Sequence, residues 1–402
     1  MTCPRLTLVL PVLLTACMSL ADRGMASPPG AVTIRGDFSG GNILVDQNDG
    51  DSVQLAPDLR GDNPWFYWYF EAAVTRPGRV KFVFPAKVAG FVNGAIGFQG
   101  PAISKDLGKT WAWMGTGTVE ENAFYYDFEK QGDKVRFAVT IPYLQAEFDD
   151  FLARNAGKPH LRRTVLTKSR KGRAVELLQV GEPGAGIQPV LMTARHHAAE
   201  TIASYVLEGF VQEAMSDSAV GSHFRKKYVL FAVPFVDKDG VEDGDQGKNR
   251  KPHDHNRDYG EKSIYPEVQA IRELDKRLDF KFAVDFHCPT LLMDSHQVIY
   301  FVGAKQHPQY NLQNVTEFAR GIKAGLPKNA PGGPLVWLRD EDDTSPKNSR
   351  YFGFKEGAVM SATIEIPFAP PGKATDAASC RKYGAILLQA WTDTNFRAPD
   401  AK

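Results

Sequence analysis

Ala194-Arg-His-His-Ala-Ala-Glu-Thr-Ile-Ala-Ser204 is the stretch on which the reading of this chain turns. It places an imidazole and a carboxylate three residues apart, His197 and Glu200. They fall where an apolar strand end, residues 189–193, gives way to an amphipathic helix over residues 200–215. In that helix Ile202, Val206, Phe210 and Val211 recur at helical spacing. His-x-x-Glu at such a junction lets both side chains converge on one point, as a tetrahedral zinc site requires, with a further protein ligand brought from another strand. The same residues are also compatible with a polar helix N-terminus, where a carboxylate complements the helix dipole.

Around this stretch the periodicity is that of strands alternating with helices. Continuous apolar runs at 175–180, 190–194, 228–236, 280–286, 298–302 and 361–366 read as buried strands. Helical patterns separate them at 200–215, 266–278 and 309–326, and another closes the chain at 376–391. This predicts a mixed, mostly parallel sheet covered on both faces, with chemistry gathered where strands end. The segments that break the pattern, 237–260 and 339–350, are rich in Asp, Gly, Lys and Asn.

Upstream, residues 34–143 consist of short alternating or aromatic runs punctuated by Gly, Asp and Asn, the pattern of a small antiparallel sandwich. Residues 65–70 read as a strand with 80–84 as hairpin partner, and 123–128 pairs in the same way with 135–141. Trp65, Tyr67, Trp68 and Tyr69 are expected to pack between the sheets. A short helix over 143–156 leads out. The expected division is a leader and tether at 1–30, a β-sandwich at 31–160 and an α/β/α mixed-sheet domain at 161–402.

The 402-residue chain has a net charge of +1 with 43% hydrophobic and 11% aromatic residues, which excludes a global bias towards nucleic acid or membrane surfaces. At the N-terminus, Arg5 precedes the apolar run 6–14 and then Leu14-Thr-Ala-Cys17, a signal-like core followed by a lipobox-like ending. The expectation is export to a bacterial periplasm or outer membrane. Cys17 is then lipidated as a membrane anchor, or cleavage falls after Ala21 or Ala26. Outside the leader only Cys288 and Cys380 remain, too few for a disulfide framework.

His287 closes the apolar strand Ala283-Val-Asp-Phe-His287 and supplies the missing ligand. With His197 and Glu200 it makes a His/Glu/His set that leaves one coordination position for water. Glu365, in Thr363-Ile-Glu-Ile366, is a carboxylate in an otherwise apolar strand, costly unless paired or functional, and suits a general base. In the 238–259 loop, Arg250 and the pair Asn256-Arg257 are candidates to grip a peptide's carboxylate and to stabilise an oxyanion. His253 and His255 are alternative ligands. The acidic run 237–245 lacks the spacing of a calcium-binding loop.

Taken in order, ARHHAAETIAS, VPFVDKDGV, NRKPHDHNRDY, VDFHCP and ATIEIPF resemble the catalytic domain of the zinc metallocarboxypeptidases, and within them the cytosolic carboxypeptidase subfamily, associated with removing glutamates. Gly41-Asn-Ile-Leu, residues 63–70 and Arg79-Val-Lys-Phe82 are similar to that subfamily's N-terminal β domain. The resemblance covers about residues 40–395. It implies one Zn2+ per chain held by His197, Glu200 and His287, with Glu365 as general base and Arg250 stabilising the oxyanion. Asn256 and Arg257 would hold the terminal carboxylate of a peptide or protein substrate. Arg350, fifteen residues before Glu365, would face its terminal side chain and favour Glu or Asp.

The chain departs from the family in carrying Ala198-Ala199 for Pro-Gly, in Asp237-Lys-Asp-Gly240, and in an acidic loop before Arg250. The substrate-capping tyrosine has only Tyr259 and Tyr351 as candidates. Two alternatives accompany this reading: a cell-envelope peptidase or amidase acting on peptidoglycan stem peptides, and a non-catalytic binding protein with a vestigial site.

Overall fold

The structure is a computed structural model that describes residues 31–62, 66–86, 95–291, 297–303, 307–327, 336–340, 344–368 and 375–398. The expected leader, Cys17 and Trp65 lie outside the described residues.

Among the described residues, ten short strands come first: β1 (Val32–Arg35), β2 (Leu44–Asn48), β3 (Ser52–Ala56), β4 (Tyr69–Val74), β5 (Gly78–Val83), β6 (Ala102–Ser104), β7 (Ala112–Trp113), β8 (Val119–Glu120), β9 (Ala123–Phe128) and β10 (Lys134–Ala138). They form two five-stranded sheets, β1-β4-β10-β6-β7 and β2-β3-β5-β9-β8. Every pair is antiparallel except β3 with β5, which is parallel. The two hairpins expected from sequence are corrected. β4 pairs with β1 and β10, whereas β5 pairs with β3 and β9, so each of those turns carries the chain from one sheet to the other. A period of two marks which side chains point inward, but not whether the next strand pairs alongside or faces across the core. Inward rings fill the gap, with Phe70 5.4 Å from Phe82 and Phe137 5.3 Å from both Phe82 and Phe124. Tyr67, Trp68 and Tyr69 are buried, as core packing required.

α1 (Gln145–Arg154) leads into an eight-stranded sheet of order β11-β12-β14-β13-β15-β18-β16-β17. Its strands are β11 (Leu161–Lys168), β12 (Ala174–Val180), β13 (Gln188–Ala194), β14 (Tyr228–Val233), β15 (Phe282–His287), β16 (Tyr300–Gly303), β17 (Val336–Asp340) and β18 (Met360–Glu365). The central four, β14-β13-β15-β18, are parallel. The sequence reading missed β17, which takes up Arg339, placed there in an irregular segment.

The helices are α2 (Thr201–Ala214), α3 (Ala219–Arg225), α4 (Lys238–Asp243), α5 (Pro266–Leu278), α6 (Gln309–Gly325), α7 (Asn348–Gly353) and α8 (Ala377–Asp393). Alternate residues of the central strands face opposite layers. Val190, Met192, Phe282 and Val284 join the core containing α2, α6 and α8. Leu191 and Ala283 join the one containing α5 and Phe352 of α7. Burial on both faces explains why these strands read as unbroken apolar runs.

The N-terminal region touches the loop after α4 directly. Gln246 exchanges two hydrogen bonds with the backbone of Tyr67, at 2.7 and 2.8 Å, and Asn42 donates to the carbonyl of Gly244 at 2.7 Å. Gly244 has φ +75°, and a Cβ there would meet the carbonyl oxygens of Gly40 and Gly41 at 2.5 and 2.6 Å, so glycine is required on both counts.

Candidate metal centre

The site is built where β13, β15 and β18 end side by side, with Ala194 opposite Phe286 and His287 opposite Glu365 in the parallel register. At the end of β13 the chain turns sharply through Arg195, which has φ 64°. Its guanidinium is 1% exposed and donates to the carbonyl oxygens of Tyr143 (2.7 Å) and Ala198 (3.0 Å). A buried cation satisfied by carbonyls thus folds residues 195–200 back over the strand end. Just beyond, Thr201 and Tyr205 of α2 donate to the carbonyls of Ile141 (2.7 Å) and Pro142 (2.6 Å), fixing the helix start.

This turn brings three predicted ligands together. Nδ1 of His197 lies 2.8 Å from one oxygen of Glu200, and Nδ1 of His287 lies 2.7 Å from the other. The two Nδ1 atoms are 3.1 Å apart. Two imidazole nitrogens and a carboxylate aimed at one point share too few protons to satisfy one another, but they fit one cation. Two nitrogens on a tetrahedral zinc are about 3.3 Å apart at Zn–N of about 2.0–2.1 Å.

The outer nitrogens agree. Nε2 of His287 lies 2.6 Å from Asp285, which fixes its proton there and leaves the Nδ1 lone pair for the ion. Nε2 of His197 faces Asp254 at 3.6 Å. Burial pushes the Asp254 carboxyl up, but the attraction of His197 and Arg257 and its hydrogen bonds hold it far below the usual carboxylate range. Sequence reasoning did not assign Asp254 a role. Its signal was its place two residues before Asn256, in the motif already singled out.

His196, Asp285 and His287 also bring donor atoms within 4.8 Å of one another. In that trio both histidines are hydrogen-bonded to Asp285, and Nε2 of His196 accepts from Tyr259, so His196 has no free lone pair for an ion. His253 and His255 are in neither group. His253 pairs with Asp258 at 2.6 Å and His255 stacks on Tyr265 at 3.6 Å.

Glu365 stands beside the ligands with Oε2 buried and without a hydrogen-bond partner. Burial pushes its carboxyl up to about 7, opposed by His287 and Lys248 and reinforced by Glu200. Lys248 is a cation acting on Glu365 that the sequence did not single out, because one lysine in a charged loop carries no spacing signal. Asn256 and Arg257 flank the ligands. Asn256 Nδ2 is 3.5 Å from His287 Nε2, and Arg257 donates to Asp254 at 2.8 Å. Because His287 Nε2 already carries a proton, the Asn256 contact joins two donors and is not a bond. Arg350 lies on α7, two residues past Asn348, whose amide N–H donates to Asn256 at 3.2 Å.

In three places the structure supplies partners that the sequence did not show. Arg250 donates to Asp62 (3.1 Å), Asp237 (2.5 Å) and Asp245 (2.7 Å), so its charge is already met and not directed at a developing oxyanion. Neither candidate capping tyrosine has a hydroxyl turned to substrate: Tyr259 bonds His196, and Tyr351 donates to Asp275 at 3.2 Å. The acidic loop does not present a bare negative field either, since Arg60, Lys171, Arg173 and Arg250 neutralise Asp239, Asp243 and Asp245.

Comparison with known proteins adds family and fold relationships. Residues 150–349 match the family model of the zinc carboxypeptidases. A Zymomonas mobilis protein of uncharacterised function is 26% identical over 344 residues, 83% of this chain and 87% of its own length. Cytosolic carboxypeptidase 2 of Xenopus tropicalis is 27% identical over 297 residues, 69% of this chain but only 28% of that protein. In fold, the chain superposes on a metallo-carboxypeptidase from Burkholderia cenocepacia with a TM-score of 0.74 at 22% identity, covering 90% of this chain and 98% of the other.

The fold and the His/Glu/His cluster define a metallohydrolase built on a carboxypeptidase-type sheet. Residues 150–349 thus carry a zinc carboxypeptidase domain, homologous to that of the cytosolic carboxypeptidases.

Proposed function

We propose that the protein removes single residues from peptide or protein C-termini, with Glu or Asp preferred, using one zinc per chain. The observation that carries this reading is the convergence of His197 Nδ1, His287 Nδ1 and the Glu200 carboxylate beside Glu365. A zinc ion held there supplies Lewis acidity and a water of lowered pKa. Glu365, half-buried with an unpaired oxygen, accepts the proton of the attacking water and passes it to the leaving amine. Asn256 keeps amide hydrogens without an acceptor at His287, and with Arg257 it holds the substrate's terminal carboxylate. Arg350 meets an acidic terminal side chain.

With Arg250 bound by three carboxylates, the oxyanion role first read for it is assigned to Lys248, whose charge acts on Glu365. The same reading has the chain exported, with Cys17 as lipid anchor, which labelling of whole cells with a fatty-acid analogue tests. A peptide pool varied only at its last residue, incubated with and without chelator, tests the activity. Selective loss of C-terminal Glu and Asp, abolished by chelator, is expected; release from internal positions, or of all residues alike, overturns the specificity.

A further inference from the structure

His196 adjoins a metal ligand, yet the family motif gives it no role and the ligand set does not use it. It is 0% exposed, and both its nitrogens are bonded. Nδ1 lies 2.8 Å from Oδ1 of Asp285, and Nε2 lies 2.8 Å from the Tyr259 hydroxyl. A buried imidazole with two good partners is commonly only a satisfied core group. Here the partners are themselves tied to two different working parts of the site.

The direction of every hydrogen bond follows from the partners. Asp285 is a carboxyl ringed by two imidazoles and a hydroxyl at hydrogen-bond distance, the surroundings of a group that only accepts. It takes protons from His287 Nε2 (2.6 Å), Thr193 Oγ1 (2.8 Å) and His196 Nδ1. His196 Nε2 is then a bare lone pair and accepts from Tyr259 O–H. The Tyr259 oxygen in turn accepts from Asn348 Nδ2 at 2.8 Å, and the backbone N–H of Asn348 donates to Asn256 Oδ1 at 3.2 Å. One unbroken series therefore runs from the outer nitrogen of ligand His287 to the amide of Asn256. Six residues at four separate places in the chain make it, and only a group with a donor on one side and an acceptor on the other fits its middle. A neutral imidazole is such a group.

We propose that His196 is a positioning residue that couples the orientation of the metal ligand His287 to that of the carboxylate-binding Asn256, through Asp285 on one side and Tyr259 with Asn348 on the other. The inference rests on the roles given above to His287 and Asn256. Fixing Asp285 orients the His287 ring. Fixing the Tyr259 hydroxyl sets Asn348, and through it turns the Asn256 amide hydrogens away from the backbone and towards the substrate.

Two substitutions divide the imidazole. In His196→Asn, an amide nitrogen stands where Nδ1 stood and still donates to Asp285, while the link to Tyr259 is lost. In His196→Gln, the terminal amide reaches where Nε2 stood and its oxygen still accepts from Tyr259, while the donor to Asp285 is lost. Zinc affinity is read on the full chain by competition with a chromogenic chelator, and KM on a peptide ending in glutamate.

His196→Gln is expected to weaken zinc about tenfold with KM little changed, because loss of an outer-shell donor loosens the ligand. His196→Asn is expected to raise KM about tenfold with zinc affinity little changed. Both quantities moving together in both variants, neither moving, or the opposite split overturns the proposal. Should either variant fail to fold, Tyr259→Phe stands in: raised KM with unchanged zinc affinity supports the coupling, and unchanged KM overturns it. The wild-type values report on the activity reading by themselves, and the ratios of variants to wild type report on this one, so the two fail separately.

Discussion

His287 and Glu365 are register partners at the ends of adjacent parallel strands, β15 and β18. One paired row of a sheet therefore presents both the proposed metal ligand and the proposed base beside it, on backbone that the core holds rigid. Replacing Glu365 by Gln keeps the shape and removes the proton acceptor. The variant should bind zinc as the wild type does and lose about 10²–10⁴-fold in kcat, the range for a general base. Metal analysis alongside steady-state kinetics checks this; a variant with normal turnover would show that the base lies elsewhere.

The pH dependence has a definite sign. Without metal, burial pushes the Glu365 carboxyl up to about 7. A cation on the adjacent ligands adds attraction for the ionised form and lowers that value. Since only the ionised carboxylate accepts a proton, kcat/KM should fall as pH drops through the lowered value. An acid limb below pH 7 that vanishes in the residual activity of Glu365→Gln is expected. A limb unchanged by the substitution assigns it to another group.

Asp285 accepts from His287 at 2.6 Å and fixes its ligating tautomer. Asp285→Asn can present an N–H where the acceptor stood, so zinc affinity should fall about 10–100-fold. Competition with a chelator measures this directly, and unchanged affinity would remove Asp285 from the outer shell.

Arg195 is a buried cation answered by the carbonyls of Tyr143 and Ala198. Arg195→Met would leave both carbonyls without their donor and should cost about 2–4 kcal/mol of stability. Urea unfolding of the metal-free protein is the measurement. A loss under about 0.5 kcal/mol, the range of a surface substitution, would mean that water replaces the guanidinium.

Arg350→Ala should lower kcat/KM for a C-terminal Glu much more than for a C-terminal Ala, with Arg350→Lys between them, because an ammonium lacks the planar fork that grips a carboxylate. Equal losses on both substrates would end the specificity role.

How legible the molecule is from sequence depends on the range of the force involved. Residues 266–278 were readable to the residue as α5 because helix formation is local, with Pro266 opening it and apolar residues at helical spacing. The convergence of His197, Glu200 and His287 was readable because their spacing and position at strand ends allow it. Pairing across the sandwich was not. β4 and β5 are consecutive and alternating, yet belong to different sheets, a choice made by long-range packing of Phe70 on Phe82. Arg250 failed for a related reason. Its loop looked free, and only the fold shows Asp62 arriving from the N-terminal sheets to claim it. His196 was set aside because spacing favours His197, and its partners Asp285 and Tyr259 come from distant segments.

The most direct test of the account is zinc titration of chelator-stripped protein, following release of glutamate from a peptide ending in that residue. The account predicts no release without metal, a linear rise to a plateau at one zinc per chain, and no recovery in His287→Ala. Release that persists in the stripped protein, or recovery that does not need His287, would contradict it.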